Sequence, residues 1–496
     1  MTTSPEAGGS GKTVQQYIDE APIWSDGTAT ASAPLTPMQW RIWWLAAAGK
    51  FFEGLVVFMT GVALPLLAQE FQLGPAAHGL VGAASLFGIL IGATALGGLA
   101  DRYGRKPIFI LEMAIFTAFL VAVALSPNFL VLVICLFGLG VALGCDYPTA
   151  HLVISECMPS NARGKFVLGA FGFQAVGALV GAGIGFLILY ENPSIGAWRW
   201  MYATAIVPAV IVTLARLTIT ESAHWLFAQG KYEDAERETL RLLKREPAYP
   251  KEVALDAAKE QAEFAEIEEE AKCSGGYAEL FSAKNRRATI LTSVPWFLQD
   301  LSTYGIGIFT PTILAAAVGS EKAHATKVAD IVLNDMTAAK GAAVIDLLLI
   351  VGIIGAALLA DRVGRIKLQI FGFIGCAVGL FLASLSVGAA DPMRLYLIFA
   401  GFMTFSFMTN LGPNAQTYLI AGEVFPTHIR GKGAGLAASF AKIGAVLTAF
   451  LFPILLADIG VRWLLYILIA ASLIGAVVTW MTRIETAGVN LEEIGK

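Results

Sequence analysis

Two different motifs occur twice in this chain, in the same order and at nearly the same distance. Leu99-Ala-Asp-Arg-Tyr-Gly-Arg105 returns as Leu359-Ala-Asp-Arg-Val-Gly-Arg365, an offset of 260. Glu156-Cys-Met-Pro-Ser-Asn-Ala-Arg-Gly-Lys165 returns as Glu423-Val-Phe-Pro-Thr-His-Ile-Arg-Gly-Lys432, an offset of 267. Shared order and shared spacing together leave no room for coincidence. The chain is a duplication, and whatever it folds into must be built from two halves of one plan.

Both halves are too apolar for water. Of the 496 residues 56% are hydrophobic and 15% charged, where a soluble domain carries about 25% charged residues. With a mean hydropathy of +0.67, the chain belongs in lipid. A membrane helix needs about 20 mostly apolar residues. Such runs fall near 40–68, 79–100, 107–126, 129–152, 165–190 and 199–218, and again near 288–316, 339–360, 368–389, 392–419, 433–458 and 461–482. They are too long and continuous for the short alternating strands of a membrane barrel. The predicted fold is an all-α membrane protein, about twelve transmembrane helices in two pseudo-symmetric six-helix bundles. Its expected divisions are a disordered cytoplasmic tail (1–38), an N-terminal bundle (39–218), cytoplasmic linker helices (219–286), a C-terminal bundle (287–484) and a cytoplasmic tail (485–496). Within the first tail, an amphipathic piece at Val14–Ile18 has the pattern of a docking segment.

Short loops rich in Lys and Arg stay in the cytoplasm. Arg102, Arg105 and Lys106, then Arg163 and Lys165, then Arg362, Arg365 and Lys367, then Arg430 and Lys432 all fall on one side if the spans alternate. The opposite connections are acidic or neutral, as at Glu70 and Glu191. Both termini and the middle loop, acid-dense from Glu260 to Glu270, are therefore expected inside the cell. The net charge of −4 offers no attraction for nucleic acid. Cys135, Cys145, Cys157, Cys273 and Cys376 form no C-x-x-C pair, so neither a disulfide framework nor a metal site is expected. No Walker lysine motif, G-x-S-x-G, H-E-x-x-H or Cys/His cluster is present, which argues against an enzyme and against any cofactor.

A charge inside a bilayer costs about 2.5–3.5 kcal/mol on insertion scales, so each one needs a reason. Glu53, Asp146, Asp300 and Lys442 fall within predicted spans. Lys50 and Glu112 are less secure, because a lysine stem can carry its charge to an interface. Trp296 and Tyr304 lie four residues either side of Asp300, on one helix face. That face either lines a cavity or packs on neighbours while Asp300 pairs with Lys442. Desolvation disfavours a charged carboxyl, which lets Glu53 load a proton; the structural alternative is a salt bridge to Lys50. Asp146-Tyr147-Pro148 is expected to interrupt the fourth span, because proline removes a backbone donor. Gln174 stands among small residues, suited to substrate or to interhelix packing. Asn410 and Asn414 flank Gly412-Pro413, which should break the tenth span, and broken helices near the midplane commonly bracket a site. In the repeated loops, Asp101, Arg102, Arg105, Glu156 and Arg163, with Asp361, Arg362, Arg365, Glu423 and Arg430, fit a cytoplasmic gate whose ion pairs form and break as the halves close and open. His151, near the end of the fourth span, fits a packing role or a pH sensor.

The D-R-x-G-R pair resembles the major facilitator superfamily over the whole apolar length, and the paired Glu…Arg motifs resemble its sugar and organic-ion porter branch. Gly144-Cys-Asp-Tyr-Pro148, Trp296-x3-Asp300-x3-Tyr304 and Asn410-Leu-Gly-Pro-Asn414 are similar to the phosphate:proton symporters of that branch. The resemblance implies substrate contacts at Tyr147, Gln174, Trp296, Asp300, Tyr304 and either Asn410 or Asn414. The symporters carry two acids in the first span; this chain keeps Glu53 and has Val56 at the other place. The expected function is proton-coupled symport of a small anion, phosphate or a carboxylate metabolite, by a monomer in the inner membrane. Glu53, Asp146 and Asp300 are the expected proton sites, and Lys442 the positive charge. Rival readings are a uniporter or exporter of a sugar, cation or drug-like solute, a non-transporting receptor, and a membrane enzyme.

Overall fold

The structure is a computed structural model. It describes residues 12–20, 34–96, 98–160, 163–244, 253–262, 265, 276–318, 328–390 and 392–486. The side chains of 315–318, 328–332, Asp361, Thr427 and His428 lie outside what is described.

After a short α1 (Val14–Asp19), the N-terminal bundle comprises α2 (Pro37–Phe71), α3 (Pro75–Ala95), a one-turn α4 (Leu99–Tyr103), α5 (Arg105–Ala124), α6 (Phe129–Cys157), α7 (Arg163–Glu191) and α8 (Ala197–Arg216). Two surface helices follow, α9 (Ala223–Ala228) and α10 (Tyr232–Leu243). The C-terminal bundle comprises α11 (Arg286–Val318), α12 (Val328–Val363), α13 (Arg365–Ser384), α14 (Met393–Leu411), α15 (Pro413–Glu423) and α16 (Thr427–Thr482). Among the described residues ten helical stretches are long and apolar enough to cross a membrane. The last of them is two crossings joined at Gly460, where φ is +77°. A further crossing, α11, carries Asp300 and two prolines inside it. The total is twelve, six per bundle.

Proline explains one expected break and contradicts another. The tenth crossing divides at Gly412, with α14 ending before it and α15 starting at Pro413. The fourth does not: α6 runs unbroken from Phe129 to Cys157 with Pro148 inside it. The backbone of α6 at Gly140 and Gly144 lies directly on Ser85 and Ile89 of α3. Packing against that neighbour holds the turn that Pro148 leaves one donor short.

The tail expected to be disordered is ordered where it is described. Thr13 caps α1 with a capping box, and Val14, Tyr17 and Ile18 are buried. Val14 N–H donates to Glu260 at 3.0 Å, and Asp19 accepts from the Ser160 amide at 2.8 Å. An amphipathic turn with its own cap and three apolar anchors can dock where a merely polar tail cannot. Most of the acidic stretch 260–270, and Cys273, lie outside the described residues. Glu260 itself is buried beneath α1.

Candidate functional site

An internal cavity lies between the bundles. Phe58, Tyr147, Phe171, Gln174, Trp296, Asp300, Thr303, Tyr304, Leu349, Ile353, Asn410, Asn414 and Lys442 are among its lining residues. Every side chain that the sequence associates with substrate is therefore gathered here, from α6, α7, α11, α14, α15 and α16.

Glu53 stands behind this lining, 2% exposed. Its carboxylate takes Lys50 Nζ at 2.7 Å, from its own helix, and Lys442 Nζ at 3.2 Å, from the other bundle. Tyr304 Oη donates to Glu53 at 3.1 Å, and Lys442 donates to Tyr304 Oη at 2.8 Å. Gln174 Nε2 donates to Tyr304 Oη at 2.9 Å. Asp300 Oδ2 is 3.6 Å from Lys442, and no hydrogen bond satisfies that oxygen. So Glu53 does pair with Lys50, as its structural alternative held, but it also bridges the two halves. Lys50 does not reach an interface: its ammonium is buried, 3.1 Å from the centre of the Tyr147 ring. Two lysines face two carboxylates in a buried pocket, where charge pairs interact far more strongly than in water.

The asparagines brace the helix break. Asn410 Nδ2 donates to the Leu349 carbonyl at 2.8 Å, and Asn414 Nδ2 donates to Asn410 Oδ1 at 2.5 Å. Both line the cavity.

Asp146 is not among the cavity-lining residues. Arg216 Nη2 takes its carboxylate at 2.7 Å, and Arg216 Nη1 reaches Glu112 at 3.2 Å. All three side chains are buried inside the N-terminal bundle. Arg216 is absent from the sequence reading, although it closes the predicted span 199–218 and is a charge inside it. His151 is exposed on α6 and stands apart from the cavity.

The repeated loops form two matching networks. Arg105 pairs with Glu156 at 2.8 Å and with Asp101 at 3.1 Å, while Arg365 pairs with Glu423 at 2.7 Å. Each arginine also donates to a carbonyl five residues back, Ala100 or Ala360. Gly104 and Gly364, at φ of +104° and +99°, make the reversal that an L side chain resists. These pairs join helices of the same bundle, because Arg105 and Glu156 start and end adjacent helices. They do not latch one half to the other as expected. Arg163 donates to Gln15 at 3.1 Å, and Arg430 to the Phe425 carbonyl at 3.1 Å. Arg102 lies 5.3 Å from the Tyr103 ring, Arg362 is exposed, and the Asp361 side chain is outside the described residues.

Each network has a further acid that the sequence reading missed. Glu221 accepts from the Arg105 and Lys106 amides at 3.1 Å, and Glu485 accepts from the Arg365 amide at 2.9 Å. Burial pushes the Glu221 carboxyl above the usual carboxylate range. The signal was present: Thr218-Ile-Thr-Glu221-Ser222 returns as Thr482-Arg-Ile-Glu485-Thr486.

What joins the bundles on this side is apolar. Leu168 of α7 packs with Ile353 and Ala356 of α12 and Ala415 of α15. Phe171 stacks on Tyr418, ring centres 4.6 Å apart. Toward the opposite face, Gly61 of α2 lies on the Ile308 backbone of α11, and Gly79 of α3 on Phe450 of α16. The bundles thus touch on both sides of the cavity. Tyr418 also meets Trp296 edge-on at 6.0 Å; nothing in the sequence marks it beyond its place on the broken helix.

Residues 42–496 match the family model described as sugar (and other) transporter. The inner membrane metabolite transport protein YgcS of Escherichia coli (strain K12) is 30% identical, over 93% of this chain and 95% of its own. The niacin transporter NiaP of Acinetobacter baylyi is 26% identical, over 93% and 98%. A probable inorganic phosphate transporter, 1-12 of Oryza sativa subsp. japonica, is 25% identical, over 91% and 90%. Among solved structures, the xylose transporter XylE of E. coli in a partially occluded inward-open conformation superposes with a TM-score of 0.71, at 18% identity, over 92% of this chain and all of its own. A duplicated twelve-helix body with a charged cavity between its halves, and a family match across nearly its whole length, give one result: the chain belongs to the sugar (and other) transporter family of the major facilitator superfamily, a multi-pass membrane transporter of metabolites and not an enzyme.

Proposed function

We propose that this protein is a proton-coupled symporter of a small anion, inorganic phosphate or a carboxylate metabolite, working by alternating access. The observation that carries the reading is Glu53 of one bundle holding Lys442 of the other. With Lys50 and Lys442 facing Glu53 and Asp300, the pocket is balanced while all four are charged. An anion arriving alone would leave a buried pocket with net negative charge, which is costly. A proton on Glu53 or Asp300 restores the balance and frees Lys442 for the anion. Cargo and proton then load together, and the ion pair between the halves is exchanged for a shared ligand.

Tyr147, Gln174, Trp296, Tyr304 and the two asparagines supply hydrogen bonds and walls for that anion. Asp146 is the third proton site, available once Arg216 releases it. The repeated loop networks stiffen each bundle at the cytoplasmic gate, so that each rocks as a body while the contact around Phe171 and Tyr418 opens. The protein works as a monomer in a bacterial inner membrane, with both termini in the cytoplasm. Two relatives are described as a niacin transporter and a probable inorganic phosphate transporter, and nicotinate and phosphate are both anions at neutral pH. The walls contributed by Phe58, Phe171, Trp296, Leu349 and Ile353 favour a carboxylate with an apolar body over phosphate, because apolar wall cannot replace water around four oxygens.

The test is uptake of nicotinate and of phosphate into proteoliposomes with an imposed pH gradient. Accumulation of one anion that collapses with the gradient is expected. Asp300→Asn should abolish gradient-driven uptake while folded protein remains in the membrane. Undiminished uptake by that variant refutes the coupling role.

A further inference from the structure

Two buried carboxylates of α12 play no part in the central network. Asp335, Ala339, Ala342, Asp346, Leu349, Ile353 and Ala356 are spaced alternately by four and three residues, which places them on one helix face. All seven are buried. Leu349 and Ile353 line the cavity, and Ile353 and Ala356 pack against Leu168 of the other bundle. This face therefore runs down the seam between the halves. Asp346 lies one turn from the cavity wall, and Asp335 about 16 Å further along at 1.5 Å per residue.

Asp335 is 1% exposed, and neither of its carboxylate oxygens has a hydrogen-bond partner. Asp346 is 4% exposed, and neither residue has an ion-pair partner among the described residues. On α12 itself the interior cation is Lys340, exposed and off this face, and the helices packed against α12 offer few charges in their interiors. They are Asp300 and Tyr304 on α11, Lys50 and Glu53 on α2, Tyr418 on α15 and Cys376 on α13. The ionisable groups of α7 (Arg163, Lys165, Tyr190, Glu191) and α14 (Arg394, Tyr396) sit at helix ends, as do Arg365 and Lys367 of α13 and Glu423 of α15. A buried carboxyl without a cation rests in its neutral form. Retaining two of them on one apolar face costs stability that leucine would not, so a use is required.

We propose that Asp335 and Asp346 are a proton lane, which carries protons from the face opposite the repeated loops to Asp300 when the bundles part and water wets the seam. Each neutral acid releases its proton to a water on the Asp300 side and is reprotonated by a hydrated proton arriving from the other side, so that one O–H bond forms for each that breaks. The lane rests on the symport reading for its destination. The small side chains of Ala339 and Ala342 between the two acids leave space for water once α7 moves away.

The test uses full-length protein in lipid nanodiscs. Infrared spectra should show protonated carboxylic acids whose bands shift on transfer to heavy water. Asp335→Asn and Asp346→Asn should each delete one such band, and Asp335→Asn should slow the exchange of the Asp346 band. In proteoliposomes, Asp346→Asn should lose gradient-driven accumulation of nicotinate or phosphate yet keep counterflow, with Asp346→Glu recovering accumulation. Bands that are absent or never exchange, or full accumulation by Asp346→Asn, would overturn the lane. Wild-type uptake indifferent to the gradient would instead defeat the symport reading, and the infrared exchange then decides alone whether α12 passes protons.

Discussion

In the N-terminal bundle, Glu112 of α5 and Asp146 of α6 meet around the buried guanidinium of Arg216. The offsets of 260 and 267 carry those two positions to Gly372 of α13 and Pro413 at the head of α15. There the C-terminal bundle has no charge at all. A Cβ on Gly372 would lie 2.5 Å from both the Gly412 Cα and the Pro413 Cδ, so the backbones touch. One half spaces its helices with a salt-bridged cluster and keeps its fourth crossing unbroken. The other brings backbone onto backbone and breaks the matching crossing at Gly412. The duplication has kept the surface networks of Arg105 and Arg365 nearly identical and let the interiors diverge. That divergence lets one bundle present cavity-facing amides beside a helix break while the other stores charge.

The largest effect should come from breaking the cluster on the charged side. Arg216→Met leaves Glu112 and Asp146 buried with no cation, and removing one partner of a buried pair costs about 3–5 kcal/mol. Thermal unfolding in detergent should show that loss. Neutralising all three groups, as Arg216→Met with Glu112→Gln and Asp146→Asn, should recover most of it, because a fully neutral replacement is often no worse than the ion pair. If Arg216→Met alone is as stable as the parent, the cluster is not held by charge. The triple variant also isolates Asp146: transport with fewer protons per anion is expected of it, and unchanged stoichiometry would remove Asp146 from the coupling scheme.

The glycine side should be next in size. Gly372→Ala forces the α13 and α15 backbones apart, and overpacking of this kind costs about 1–3 kcal/mol. Gly183→Ala, with nothing within 4 Å of the new methyl, is the control and should be neutral or slightly stabilising. Equal behaviour of the two variants would mean that the packing of α13 on the helix break is looser than the contact between Gly372 and Gly412 implies.

Much of this was legible in the chain. The repeat fixed two halves, hydropathy located twelve crossings, and the i, i+4 placement of Trp296, Asp300 and Tyr304 announced a lining face. The failures share a physical cause. Periodicity along one helix cannot say which charge on another helix will answer it. Asp146 was therefore read as a proton site without its partner, while Arg216, at the end of a different span, was passed over. The latch between halves failed for the same reason, since a loop motif carries no information on whether its glutamate lies in its own bundle. Asp346, a charge plainly inside the predicted span 339–360, was overlooked, and only the three-dimensional seam gives its position meaning. Pro148 misled because local backbone chemistry was weighed without the neighbour that supports α6.

The smallest effect tests where the halves agree. Glu221 and Glu485 cap equivalent helix starts, yet they sit differently: Glu221 also receives the Ser222 amide at 2.8 Å, while Thr486 beside Glu485 donates its hydroxyl to Glu423 at 2.6 Å. Replacing either with Gln keeps one acceptor and removes the charge, for a loss of about 1 kcal/mol. The pH dependence tests the Glu221 cap. Because burial raises the Glu221 carboxyl above its unfolded value, the folded state binds the proton more readily. Stability at this site therefore rises as pH falls through the window between the two values, and is lost as pH climbs past the folded one. Glu221→Gln should cancel that increment: the difference in unfolding temperature between parent and variant should shift toward the parent on acidification. A difference that stays flat, or shifts the other way, would mean that the amides hold Glu221 as a carboxylate, and that burial is not the stronger influence at this cap.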